Sequence, residues 1–126
     1  MTSSTKTRVA IPSETPGGLN ALRAGHFGRC ECFTLVDITD GRVMDVEVVV
    51  NPPHTQGGCL GPVGLLKDYG VNALVVHGIG VRPLMGFRDS GIDVYLGDGE
   101  LVGQAADAFA RGLLSPVCDE DTCGGR

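Results

Sequence analysis

The chain has 126 residues, of which 42% are hydrophobic and 20% charged, so one globular domain with a single real core is expected. Its formal net charge is −5, with four Phe, two Tyr and no Trp. That balance argues against a general nucleic-acid binder, which needs a basic face and stacking platforms. The most apolar stretch, Val71 to Val81, contains Asn72 and His77 and is well short of the roughly 20 apolar residues that cross a bilayer. The N-terminus shows no apolar leader segment, so a cytoplasmic protein without membrane association is expected.

Arg8 to Pro12 reads as a short first strand stopped by proline. Residues 13 to 30 follow as a long loop rich in Gly, Pro and Ser, a length that points to a functional or mobile segment. Cys32 to Ile38 and Val43 to Val50 read as two further strands. Asp40-Gly41 between them is a hairpin signal, because glycine tolerates the positive φ of a tight turn. From Cys59 the period changes to helical. Pro62 opens one helix with the stripe Leu65, Leu66 and Tyr69, and Gly70 ends it. Asn72 to His77 is the next strand. Pro83 then opens a second helix with Leu84 and Phe87 facing inward, Gly91 ends it, and Ile92 to Leu96 is another strand. Asp98 is the expected N-cap of a last helix with the stripe Leu101, Ala105, Phe109 and Leu113.

The expected order is therefore β-β-β-α-β-α-β-α. It implies an α/β fold with a mixed sheet and helices packed on its faces, in the order used by ribonuclease H-like folds. The first strand carries no carboxylate for Mg²⁺, so nuclease chemistry is not expected. Residues 1–114 are read as one domain and 115–126 as a flexible acidic tail holding two cysteines. Ligands of such sheets sit beyond the carboxyl ends of the parallel strands. The loop after Pro12 and the turns after His77 and Leu96 should meet there.

Five cysteines in a reducing compartment shift the weight toward metal binding or redox chemistry, although free Cys also serves as a small core residue. The densest cluster of ligand types is His26, Cys30 and Cys32. Imidazole and thiolate both suit iron, copper and zinc. On an extended segment Cys30 and Cys32 share a face. His54 and Cys59 form a second group on the loop before the first helix, where a plain polar loop is the rival reading. Cys118 and Cys123 flank an acidic run that can close on a metal or remain an unstructured end. Gly78, Gly80 and Arg82 lie between a strand and a helix start. Free backbone N–H groups there favour an anion, and a guanidinium reinforces it. The rival reading is an ordinary tight connection. No Walker loop and no nucleophile elbow is present.

Taken together, Val9-Ala10-Ile11-Pro12, His26-Phe27-Gly28-Arg29, the Asp-Gly turn, Asn51 with His54, Gly70-Val71, and Gly91-Ile92-Asp93-Val94-Tyr95 resemble the dinitrogenase iron–molybdenum cofactor biosynthesis family. That family includes the NifX and NafY carriers and the C-terminal domain of NifB, and the resemblance spans about residues 7 to 112. It implies a ribonuclease H-like fold and a non-enzymatic role related to nitrogen fixation. The role is binding, carriage or storage of an anionic iron–sulfur, iron–molybdenum or molybdenum–copper cluster during cofactor assembly. It implies that His26 contacts the cluster, and that a cluster-donor or acceptor protein is the partner of a monomer or weak homo-oligomer. The added cysteines favour a thiolate-bound cluster. The alternative is a metal-free thiol redox or regulatory module.

Overall fold

The computed structural model describes residues 6–24, 31–50, 60–77, 79, 81–97 and 99–117. Among them are six strands and three helices: β1 (Lys6–Ser13), β2 (Cys32–Thr39), β3 (Arg42–Val50), α1 (Leu60–Asp68), β4 (Ala73–Val76), α2 (Val81–Asp89), β5 (Asp93–Leu96), α3 (Val102–Ala110) and β6 (Ser115–Pro116). The strands form one sheet in the order β3-β2-β1-β4-β5-β6. β1, β4 and β5 are parallel to one another, while β2, β3 and β6 run against their neighbours. The expected mixed sheet is therefore present, with one strand more than the sequence pattern suggests.

Each face of the sheet carries its own core. Ala10, Phe33, Leu35, Leu74, Val76 and Val94 pack against Val63 and Leu66 of α1 and Leu84 and Phe87 of α2. Val9, Ile11, Val36, Ile38, Ala73 and Val75 pack against Val102, Ala105 and Ala106 of α3. This division follows from the strand period of two, which sends neighbouring side chains to opposite faces. β1 is sandwiched between β2 and β4 and buried on both faces, so its apolar run is continuous.

Local chemistry explains the joints. Asp40 has φ 54° and Gly41 φ 79°, the paired positive values of the hairpin turn that the Asp-Gly step predicts. Pro12 does not stop β1; the strand runs on to Ser13. The parallel pairing with β4 covers only Val9 and Ala10, so Pro12 sits where no ladder donor is needed on that side. The stripe of α3 agrees with the expectation at Ala105, which is buried, and at Phe109, which packs against the same core, and differs from it at both ends. Val102, Ala105 and Ala106 are buried, whereas Leu113 lies beyond the helix and is 68% exposed. On α1, Leu66 is fully buried but Tyr69 is 38% exposed.

The domain boundary also moves. Residues 115–117 were expected in a flexible tail, yet Ser115–Pro116 pairs with β5, and Val117 is only 4% exposed. Val117 N–H donates to the Val94 carbonyl at 2.8 Å and its own carbonyl accepts from Arg88 Nη2 at 2.9 Å. The rest of the expected tail, 118–126, lies outside the described residues.

Candidate functional site

The carboxyl ends of β1, β4 and β5 are Ser13, Val76 and Leu96. Since β2 is antiparallel to β1, its first residue, Cys32, stands opposite Ser13, and the last residue of β3, Val50, stands opposite Cys32. One end of the sheet thus collects the described residues that flank segments 25–30 and 51–59 and positions 78, 80 and 98. The loop after β1 and the turn after β5 do meet at this end: Arg23 Nη1 donates to the Gly99 carbonyl at 2.9 Å, and Arg23 N–H to the Glu100 carbonyl at 2.8 Å. Gly97 N–H donates to the Val76 carbonyl at 3.0 Å, joining the turns after β5 and β4. His77, one residue beyond β4, is exposed at the same end.

The described half of the long loop, 14–24, is hydrogen-bonded in place. Ser13 Oγ donates to the Ile11 carbonyl at 2.6 Å and lies 2.8 Å from Thr34 Oγ1, which also accepts from Gly18 N–H at 3.0 Å. Glu31 Oε1 accepts from the N–H of Thr15 at 2.9 Å and from its hydroxyl at 3.0 Å. Those bonds, backbone first, hold the Glu31 carboxyl below the usual carboxylate range. The same loop caps α3. Val102 N–H donates to the Ala21 carbonyl at 2.9 Å and Gly103 N–H to the Leu19 carbonyl at 2.7 Å. Gln104 Oε1 accepts from Glu100 N–H at 2.8 Å and Leu101 N–H at 3.0 Å. The N-cap is accordingly Leu101; the expected cap, Asp98, lies outside the described residues. Loop carbonyls replace the side-chain oxygen that usually satisfies the first amides of a helix.

Cys32 is the one predicted thiol among the described residues. It is 1% exposed, and its Sγ lies 3.7 Å from the carbonyls of both Ser13 and Glu14. Burial, then the charge of Glu31, raises its pKa. Gly17 closes over it: with φ 79°, a Cβ at Gly17 would stand 3.1 Å from Cys32 Sγ and 2.7 Å from Val48 Cγ1. As folded, Cys32 is a protonated thiol beneath the loop, so presenting a thiolate there requires the loop to lift. Arg82 stands in the first turn of α2. His26, Cys30, His54, Cys59, Gly78, Gly80, Cys118 and Cys123 lie outside the described residues. Among the described residues no group of three or more His, Cys, Asp or Glu side chains could hold a metal ion.

The sequence reading overlooked Arg23. Its residue is 5% exposed at the carboxyl end of the sheet, and a Cβ at Gly97 would come within 3.1 Å of its Nη2. The signal for it was slight: a single cation among the apolar residues Ala21, Leu22 and Ala24. A guanidinium so placed ties the loop after β1 to the turn after β5.

These features define a mixed α/β domain whose connecting loops gather at the carboxyl end of its parallel strands. The family model for the dinitrogenase iron-molybdenum cofactor matches residues 5–112, and the chain belongs to that family. It is similar to an uncharacterised protein of Methanocaldococcus jannaschii, 30% identical over 109 residues, 85% of this chain and 88% of that one. It is similar to the NMR structure of a Thermotoga protein named as a NifB protein of the DUF35 family: 32% identity, TM-score 0.70, and coverage of 87% of this chain and 92% of that one. It is also similar to the apo orange protein of Desulfovibrio gigas, at 26% identity and TM-score 0.77 over 91% of this chain and 96% of that one. Among the described residues no helix is long and apolar enough to cross a membrane.

Proposed function

We propose that this protein binds and carries an anionic metal–sulfur cluster, containing iron–sulfur or iron and molybdenum, during cofactor assembly, and that it is a carrier and not an enzyme. Membership of the dinitrogenase cofactor family supports a role in cofactor assembly. The observation that carries the finer reading is the meeting of the loops after β1 and β5 at the carboxyl end of the sheet, with Arg23 buried between them. The strand order β3-β2-β1-β4-β5 supports the ribonuclease H-like comparison, in which that end is open to ligands.

In this reading the cluster is cargo. His26 ligates it or donates to one of its sulfides, and Arg82 with the backbone at Gly78 and Gly80 faces its negative charge. Cys30, His54, Cys59, Cys118 and Cys123 are the candidate soft ligands. Cys32 joins them only when the loop that covers it opens. The partner is a cluster donor or acceptor protein, and the setting is the reducing cytoplasm, where thiolates persist.

The test is anaerobic reconstitution with iron and sulfide. The chain is expected to take up metal and absorb in the visible region, and His26→Ala to retain less of it with unchanged circular dichroism. A colourless protein, or equal retention by His26→Ala, removes the reading.

A further inference from the structure

β3 is the last strand on its side of the sheet, and no described strand pairs with its outer edge. It is nine residues long. Val46 N–H donates to the side chain of Asp45, Oδ1 at 2.9 Å, so it points away from β2. By the alternation of an antiparallel ladder, the backbone groups of Val48 and Val50 point outward as well. The side chains divide by face. Val43, Val46, Val48 and Val50 stand opposite Ile38, Val36, Thr34 and Cys32 on the α3 face. Val43, Val48 and Val50 are 39%, 40% and 71% exposed. Asp45 and Glu47 stand opposite Asp37 and Leu35 on the other face, and both are exposed.

Such an edge is a template for one more strand. Its chemistry selects the occupant. A second copy paired antiparallel about Val46 sets Asp45 against Glu47 of the other chain twice, and directly opposed like charges are destabilising; paired about Val48 it sets Glu47 against Val49 and brings no cation to either acid. The bulge at Met44, which no β2 residue opposes, also breaks the match of faces in that pairing. A strand with lysine or arginine facing Asp45 and Glu47, and β-branched residues facing the valines, has no such conflict.

We propose that β3 is a docking edge for an extended segment of another protein in which basic and apolar residues alternate. Asp45 is its gate. In the free protein its carboxylate occupies the Val46 N–H; a basic side chain on the incoming strand draws the carboxylate away and frees that donor for the ladder. This proposal is independent of cluster binding.

The experiment titrates the full chain at low salt with a seven-residue peptide of alternating lysine and valine, capped at both ends, and with its glutamate–valine counterpart. The lysine peptide is expected to bind at least tenfold more tightly. Val46→Pro, which removes the outward donor, is expected to weaken binding at least tenfold. Asp45→Lys with Glu47→Lys is expected to reverse the preference, a gain that loss of folding cannot imitate. Equal binding of the two peptides, or a preference that the charge reversal leaves in place, overturns the proposal. So does concentration-dependent dimerisation that Val46→Pro abolishes in the absence of peptide, because the occupant is then a second copy.

Discussion

At one margin of the sheet β6 has two residues, one of them proline; at the other β3 has nine residues and none. Pro116 cannot donate to a neighbouring strand, and Arg88 takes the carbonyl of Val117, so the β6 margin is closed. β3 keeps its outward donors, four valines on one face and two acids on the other. The contrast separates two uses of an edge. β6 completes the fold, and its contribution is stability. Among the described residues β3 pairs only with β2, and no described strand takes its outward edge.

The sharpest break in that comparison is to remove β6. Truncation after Leu114 takes away the buried Val117 side chain, its two hydrogen bonds and the pairing of Ser115–Pro116 with β5. The burial of one valine and the two hydrogen bonds of Val117, at ordinary strength, alone make the expected loss about 3–5 kcal/mol. Truncation after Val117 keeps all of those contacts. Urea unfolding of the two truncated chains should therefore differ by nearly the whole effect. Equal midpoints would make β6 an appendage after all.

A smaller effect concerns how β3's neighbours are held. Arg8 on β1 reaches Asp37 on β2 with two bonds, Nε to Oδ1 at 2.8 Å and Nη2 to Oδ2 at 3.2 Å. Its Nη1 donates to the Tyr69 carbonyl at 2.9 Å and lies 4.0 Å from Glu47 on β3. The hydrogen bond from Arg8 first, and its charge with that of Lys6, hold the Asp37 carboxyl below its ordinary value despite burial. A depressed folded pKa means that this stabilisation is complete above the ordinary carboxylate range, near pH 4. It is lost as pH falls through the lower folded value. Asp37→Asn should cost about 2 kcal/mol at neutral pH and flatten the acid limb of the stability curve. An unchanged acid limb would mean that other carboxylates carry it.

The smallest effect sharpens the β3 side. Gly17→Ala places a methyl group against Val48 and Cys32 at a positive φ, with an expected cost of about 1 kcal/mol from the left-handed conformation. It should also raise the reactivity of Cys32 toward a thiol reagent, since Gly17 is what lies over the sulfur. Gly18→Ala, with open space at its Cβ, shares the backbone penalty without that contact. Equal thiol reactivity in the two variants would show that the loop does not seal Cys32.

Much of this architecture is legible in the sequence because it rests on local rules. The Asp40-Gly41 turn, the two strands rich in β-branched residues around it, and the inward Leu84 and Phe87 of α2 are short-range signals that the structure bears out. β6 is not legible: two residues have no period, and a proline argues against a strand. The α3 cap is hidden for another reason. Its acceptors, Leu19 and Ala21, are backbone carbonyls some 80 residues away, and any residue type supplies a carbonyl. At the site, the shared end of the sheet follows from strand direction alone. The buried state of Cys32 does not, since it depends on where Gly17 passes over β2.

The joint between Leu19, Ala21 and the first amides of α3 has a consequence for observation. Two amide protons, those of Val102 and Gly103, take their acceptors from the loop that covers Cys32. Hydrogen exchange at these two positions is therefore a clock for loop lifting, with no probe attached to the loop itself. Rapid exchange there, while Ala105 and Ala106 stay protected, marks the open loop on an intact helix.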